Sequence, residues 1–152
     1  MIFGVSATKS AVVVAETSGS GDGFSIFTIT SIPFEIRSGE DLADLLRSLA
    51  ATFDRRDPGA IVTVALLGSS AGRFKSSLEA IKAEALVELA AFQSSLPVVK
   101  VTAAGLKKAL GGAKDQKWQH RAAELFNPHD EHRPWTQGAA GATSAAYKVA
   151  GA

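Results

Sequence analysis

Residues Ala60–Leu67 (Ala-Ile-Val-Thr-Val-Ala-Leu-Leu) form a nearly unbroken apolar run, framed by Asp57-Pro58-Gly59 and by Gly68. A half-exposed strand alternates apolar with polar residues, and this one does not. It reads as a central strand covered on both faces, which demands an α/β arrangement with layers on either side of a sheet.

The segments around it fit that demand. Ile2–Ser6 is short and apolar, and Ala11–Ala15 (Ala-Val-Val-Val-Ala) is β-branched. Only Ala7-Thr8-Lys9-Ser10 separates them. Thr17–Gly23 is turn chemistry throughout, and Phe24–Ile32 largely alternates as a half-buried strand does. Three strands with short connections make an antiparallel meander. Ser38 and Asp41 then resemble a capping box, and Leu42, Leu45, Leu46 and Leu49 mark one helical face.

Beyond the central run, a long helix is expected over Ser76–Ser94. Its main stripe is Leu78, Ile81, Ala85, Leu89 and Phe92, with a second stripe of Ala83, Leu86, Val87 and Ala90. So much apolar surface fits a helix covered by the sheet on one side and by a partner on the other. A strand Val98–Val101, a Thr102-capped helix Ala103–Leu110, a helix Asp115–Phe126 and a final Ala-rich helix capped by Thr136 complete the chain.

The 152 residues suit one domain, 1–152, and 46% hydrophobic with 20% charged content is that of a folded globular chain. The absence of cysteine excludes disulfides, thiol catalysis and thiolate metal sites. No apolar run approaches the roughly 20 residues of a membrane span, and the N-terminus lacks a signal pattern, so a cytoplasmic protein is expected. Net charge is +1, but residues 1–60 hold 5 cations against 8 anions and residues 61–152 hold 11 against 7. That asymmetry would orient the second part toward a polyanion, although scatter in a small sample explains it as well.

The order β-β-β-α-β-α-β-α-α-α suits a mixed five-stranded sheet flanked by helices, as in the ribonuclease H-like fold. Two stretches carry a closer resemblance. Gly72-Arg73-Phe74, followed after seven residues by Lys82-Ala83-Glu84-Ala85-Leu86-Val87-Glu88-Leu89, resembles an uncharacterised bacterial family of RuvC-like proteins. Leu96–Thr102, with Lys107–Gly111 and Gly138-Ala139-Ala140-Gly141-Ala142, is similar to the C-terminal half of RuvC-type Holliday-junction resolvases. Lys82 and Glu84 belong to the first motif, and a pair of rim salt bridges is their plainest role.

The resemblance implies an acid on the first strand, a second after the fourth strand and an Asp-x-x-Asp on the last helix. In this chain those places fall at Ser6, at Leu66 beside Leu67, and at Gly138 and Gly141. None is a carboxylate, and two-metal phosphoryl transfer needs charged oxygen ligands. No catalytic residue and no metal or other cofactor is therefore expected. Gly138 and Gly141 each cost a helix about 1 kcal/mol relative to Ala, so close packing against the sheet should offset them.

Three further clusters have a functional and a plainer reading. Lys107, Lys108, Lys114, Lys117 and Arg121 oppose only Asp115, with Trp118 among them. They suit a phosphate backbone and a stacked base, or a solvated face anchored by the tryptophan. The loop Gly68–Ser76 carries Arg73 and Lys75 between a strand and a helix, as a phosphate loop does, but its spacing is wrong for a Walker motif. His129-Asp130-Glu131-His132, with His120 nearby, has metal-capable side chains, yet Pro128 and Pro134 flank it and favour a polar surface loop.

The expectation is a catalytically inactive RuvC-like domain that binds DNA or RNA through Arg73, Lys75 and the Lys107–Arg121 segment. The alternative is a homodimeric module that engages protein through the long helix. An enzyme with a non-standard site is the third reading, and no membrane partner is expected.

Overall fold

The computed structural model describes residues 1–68, 77–132, 135 and 137–151. Strands β1 (Ile2–Ala7), β2 (Ala11–Ser18) and β3 (Ser25–Pro33) form the meander. Helix α1 (Gly39–Phe53) leads to β4 (Thr63–Leu67), and α2 (Leu78–Gln93) leads to β5 (Val98–Val101). Helices α3 (Ala103–Leu110), α4 (Trp118–Phe126) and α5 (Gln137–Val149) follow. The sheet order is β3-β2-β1-β4-β5, antiparallel in the meander and parallel from β1 to β5. This is the mixed five-stranded sheet the sequence implies.

Alternation within each strand builds two cores. Phe3, Val5, Val12, Val14, Val64 and Leu66 point to one face and pack under Leu45, Leu49 and Phe53 of α1 and Ala83, Val87 and Ala90 of α2. Val13, Ala15 and Ala65 point to the other face, beneath Ala139, Ala142 and Ala145 of α5. A third cluster joins α3, α4 and α5 through Leu110, Ala122 and Ala140, with Trp118, Phe126, Trp135 and Tyr147 against it.

Several boundaries differ from the sequence reading. The central strand begins at Thr63, because the chain is still outside the sheet at Ile61, which is 90% exposed. Helix α4 begins at Trp118, after a turn that uses Gln116 Oε1 to accept the Ala113 N–H. Ser38 does precede α1, but its hydroxyl makes no capping bond; Asp41 instead accepts the Arg37 N–H at 2.8 Å. Caps at Ser77 and Thr102 are made, each accepting the N–H three residues on at 3.1 Å. Thr136 lies outside the described residues.

The long helix inverts expectation. Its Ala83–Val87–Ala90 stripe faces the core, and the stripe read as the main one faces solvent: Leu78 is 61%, Ile81 48%, Leu89 41% and Phe92 81% exposed. Small residues on the buried side let α2 lie close to α1 and the sheet. Bulk decided the sequence reading, whereas the closeness of packing decides the fold.

Candidate nucleic-acid interface

Topology gathers one end of the molecule. Strands β1, β4 and β5 run parallel and finish there, at Ala7, Leu67 and Val101. Strand β3 finishes there too, with the Phe34 N–H donating to Ser10 O at 2.9 Å across the β1–β2 turn. Every helix that follows one of these strands therefore starts at this end: α1, α2 and α3. Helix α5 also begins there, since a Cβ on Gly138 would lie 3.5 Å from Thr8 Cγ2. Helix starts carry unpaired N–H groups and partial positive charge, which attract phosphate. An open cavity of about 510 Å³ lies at the same end, lined by Lys9, Ser10, Phe34, Glu35, Ile36, Arg37 and Glu79.

The centre of this end is packed shut. A Cβ on Gly141 would stand 2.8 Å from Ser6 Oγ and 2.8 Å from Leu67 Cδ2. One on Gly138 would stand 2.6 Å from Val13 Cγ2. Further down β1, a Cβ on Gly4 would fall 1.8 Å from the Ala142 carbonyl oxygen. Three glycines thus let α5 lie almost backbone to backbone on the sheet, which is the offset expected for Gly138 and Gly141. Leu66 does not share this site: its side chain is in the α1–α2 core, and Leu67, paired with Ser6 in the sheet, takes the place beside Gly141. Strand alternation moves neighbours to opposite faces, so the choice between the two leucines needed the register.

Two carboxylates, Glu16 and Glu84, lie elsewhere. Glu16 is buried on β2 at the far end from Ser6, level with Phe3, and Arg55 Nη2 holds it at 3.5 Å. Glu84 sits half-buried on α2, whose layer covers the opposite face of the sheet from Ser6. Among the described residues, no group of three His, Cys, Asp or Glu side chains is placed to hold a metal ion. A site made of Ser6, Leu67, Gly138 and Gly141 offers one neutral oxygen. That donor set does not fit the pair of divalent cations the resemblance implies.

The basic residues divide. Lys107 and Lys108 on α3, and Lys114 and Lys117 on the α3–α4 connection, are exposed and in no salt bridge among the described residues. Arg121 is used internally: its Nε donates to Leu110 O at 3.2 Å, closing the end of α3, and its Nη1 meets Glu124 at 3.2 Å. Trp118 is partly buried between two apolar clusters, where it anchors α4. Both candidates thus have contacts within the fold. Arg73 and Lys75 lie outside the described residues. Lys82 is exposed, one turn into α2.

The His129–His132 stretch is a turn organised by Asn127, which accepts the His132 N–H at 2.9 Å. His120 is exposed on α4. Sequence reading pointed to one helix start, after the Gly68–Ser76 loop, but missed the convergence of several at one end, because that is a property of strand direction and not of any one motif. It also missed Gly4, whose only signal is a glycine inside an apolar strand.

Comparison with solved structures matches this architecture over nearly its whole length. Thermus thermophilus RuvC in complex with a Holliday junction superposes with a TM-score of 0.76 at 16% identity, covering 97% of this chain and 90% of that one. A second T. thermophilus RuvC structure gives 0.74 at 16% identity, covering 97% and 91%. The fold is RuvC-like. It is thus a ribonuclease H-like fold, as the element order implied. No protein-family model and no curated sequence matches the chain, so the likeness of its Gly72–Phe74 and Lys82–Leu89 stretches to one RuvC-like family rests on those residues alone. None of the described helices is long and apolar enough to cross a membrane.

Proposed function

We propose that this chain is a catalytically silent RuvC-like domain that binds nucleic acid at the end where its helices begin. The observation that carries the reading is the character of that end. Glycine packing fills the place where the resemblance puts metal ligands, while the helix starts around it still favour phosphate. Lys107 and Lys108 add positive charge on α3, Lys114 and Lys117 add it on the connection that follows, and the sequence carries Arg73 and Lys75 between β4 and α2. A RuvC of the same fold is known bound to a Holliday junction, which makes branched DNA the first ligand to try.

The test is titration of fluorescently labelled four-way junction, single-stranded DNA and RNA at rising salt, with a cleavage assay in Mn²⁺ alongside. Binding that weakens steeply with salt and no cleavage are expected. Failure to bind any of the three at low salt removes the reading.

A second reading, a homodimeric assembly module without nucleic-acid binding, is favoured by the apolar stripe that α2 leaves in solvent.

A further inference from the structure

The cavity of about 510 Å³ at the helix-start end is built from separate parts of the chain. The β1–β2 turn supplies Lys9 and Ser10, the β3–α1 connection supplies an apolar wall of Phe34 and Ile36, and the first turn of α2 supplies Glu79. Its volume is that of a small-ligand site. The wall is fixed from behind, since Phe34 and Ile36 are half-buried and pack against the core beneath α1. The Phe34 N–H donates to Ser10 O at 2.9 Å, which ties wall and turn together. The Thr8 hydroxyl accepts the Ser10 N–H at 3.3 Å and the Ala11 N–H at 3.1 Å, which sets the turn that carries Lys9.

Charge is divided within this cavity. Arg37 is occupied, with its Nε 3.8 Å from Glu35 and 3.6 Å from Asp41. Lys9 is exposed and in no salt bridge among the described residues, so it is the cation the cavity has to offer. Glu35 and Glu79 add carboxylates, which accept hydrogen bonds and repel phosphate. A smaller hollow of about 230 Å³ shares Phe34 and is lined by Glu35, Asp41 and Asp44, so phosphate is disfavoured on that side as well.

A duplex presents phosphates and groove edges, and its bases are stacked on both faces. Such a ligand can use Lys9, but it leaves the apolar wall bare and brings its other phosphates against the carboxylates. An unpaired nucleotide has the parts this cavity matches: a flat apolar face, amino or imino donors along one edge, and a phosphate. We infer that the cavity takes a single unpaired nucleotide of a bound strand, with its base against Phe34 and Ile36, its edge toward Glu35 and Glu79, and its phosphate at Lys9. The inference rests on the nucleic-acid reading above and names the form of nucleic acid that this end receives.

The test uses the full chain and labelled duplex DNA of one length in three forms: fully paired, with one bulged adenosine, and with an abasic residue in place of that adenosine. The abasic form keeps the interruption and lacks the base. The wild type should bind the bulged adenosine about tenfold tighter than either other form, the scale of one base stacked on an aromatic ring. Phe34→Leu keeps apolar bulk against the core and removes the ring, and Lys9→Ala changes an exposed side chain. Each should melt near the wild type and lose most of the tenfold preference. A bulged 5-iododeoxyuridine should cross-link under ultraviolet light to the peptide that contains Phe34. Lys9→Ala and the cross-link decide the matter should Phe34→Leu fail to fold. Failure to bind all three forms at low salt overturns the nucleic-acid reading and this inference together. Equal affinity for the three overturns base capture and leaves nucleic-acid binding standing. A preference that survives either substitution in a folded protein, or a cross-link to other residues only, puts the captured base elsewhere and overturns the inference. Displacement of the bulged duplex by micromolar deoxyadenosine monophosphate assigns the cavity to a free nucleotide and overturns capture from a strand.

Discussion

Gly141 of α5 lies against Ser6 of β1 with no space for a side chain between them, since a Cβ there would come 2.8 Å from Ser6 Oγ and 2.8 Å from Leu67 Cδ2. Both obstacles are side-chain atoms, so a methyl group can be admitted by small shifts. Gly141→Ala gains about 1 kcal/mol of helix propensity and loses about 1–3 to overpacking, a modest net loss. Gly141→Asp must also desolvate a carboxylate beside Leu67, which costs several kcal/mol more. Denaturant unfolding should rank the wild type first, then Gly141→Ala, then Gly141→Asp well below. An Asp variant as stable as the wild type would show that the site opens to a carboxylate.

Gly4 is a harder constraint. A Cβ there would fall 1.8 Å from the Ala142 carbonyl oxygen and 2.9 Å from Ala146 Cβ. A backbone carbonyl cannot turn aside, so Gly4→Ala must lift α5 off β1 and disturb the packing of Val13, Ala15 and Ala65 beneath it. The expected loss is about 3 kcal/mol or more, larger than for Gly141→Ala. Equal midpoints for the two variants would contradict the close approach.

The contrast between these glycines shows what the sequence could reveal. Gly138 and Gly141 interrupt an Ala-rich helix, and their cost there already signals packing against the sheet. Gly4 sits among residues that suit a strand with or without it. The same limit governs α2. Periodicity locates the helix and both stripes, but it cannot say that Ala83, Val87 and Ala90 win the core over Leu78 and Phe92. That depends on how near α1 and the sheet approach. Lys107 and Lys108 were readable as solvent-facing from their helix, whereas Arg121 was not readable as the partner of Leu110 O, because that bond spans a turn between two helices.

Arg56 joins the ends of two helices. Its Nη1 donates to Phe53 O at 2.8 Å and its Nη2 donates to Ser94 O at 3.1 Å, so one guanidinium serves the last turn of α1 and the residue after α2. Arg56→Ala leaves both carbonyls without this donor and should cost about 1–3 kcal/mol. Arg56→Lys should recover little of it, since an ammonium cannot reproduce the planar fork. Full rescue by lysine in thermal melts would mean that charge alone matters there.

Nuclease activity of the RuvC type should be absent. Two divalent cations bring four positive charges into one small volume, and without carboxylates each exchanges its hydration for neutral or apolar surroundings. Ser6, Leu67, Gly138 and Gly141 provide no such charge, and Glu16 is already committed to Arg55. Junction and RNA–DNA hybrid substrates should survive millimolar Mn²⁺. Cleavage that persists through purification and disappears on mutating Glu16 or Glu84 would place a metal site somewhere other than beside Gly141.

The lysines and Arg121 should separate binding from stability. Lys107 and Lys108 are exposed and form no salt bridge among the described residues, so Lys107→Glu/Lys108→Glu removes positive charge from α3 without touching the core. It does place two anions near the C-terminal end of α3, which costs a few tenths of a kcal/mol each. Affinity should fall for all nucleic-acid sequences alike. The slope of log affinity against log salt should also flatten, by about 1 for each phosphate that is no longer neutralised. Arg121→Ala should do the opposite. It frees Leu110 O and Glu124 and loosens the α3–α4 junction, lowering the unfolding midpoint while the salt slope stays near that of the wild type. Binding and unfolding measured on the same two proteins check both halves. A double lysine variant with an unchanged slope would remove α3 from the interface, and an Arg121→Ala protein of full stability but reduced slope would return Arg121 to it.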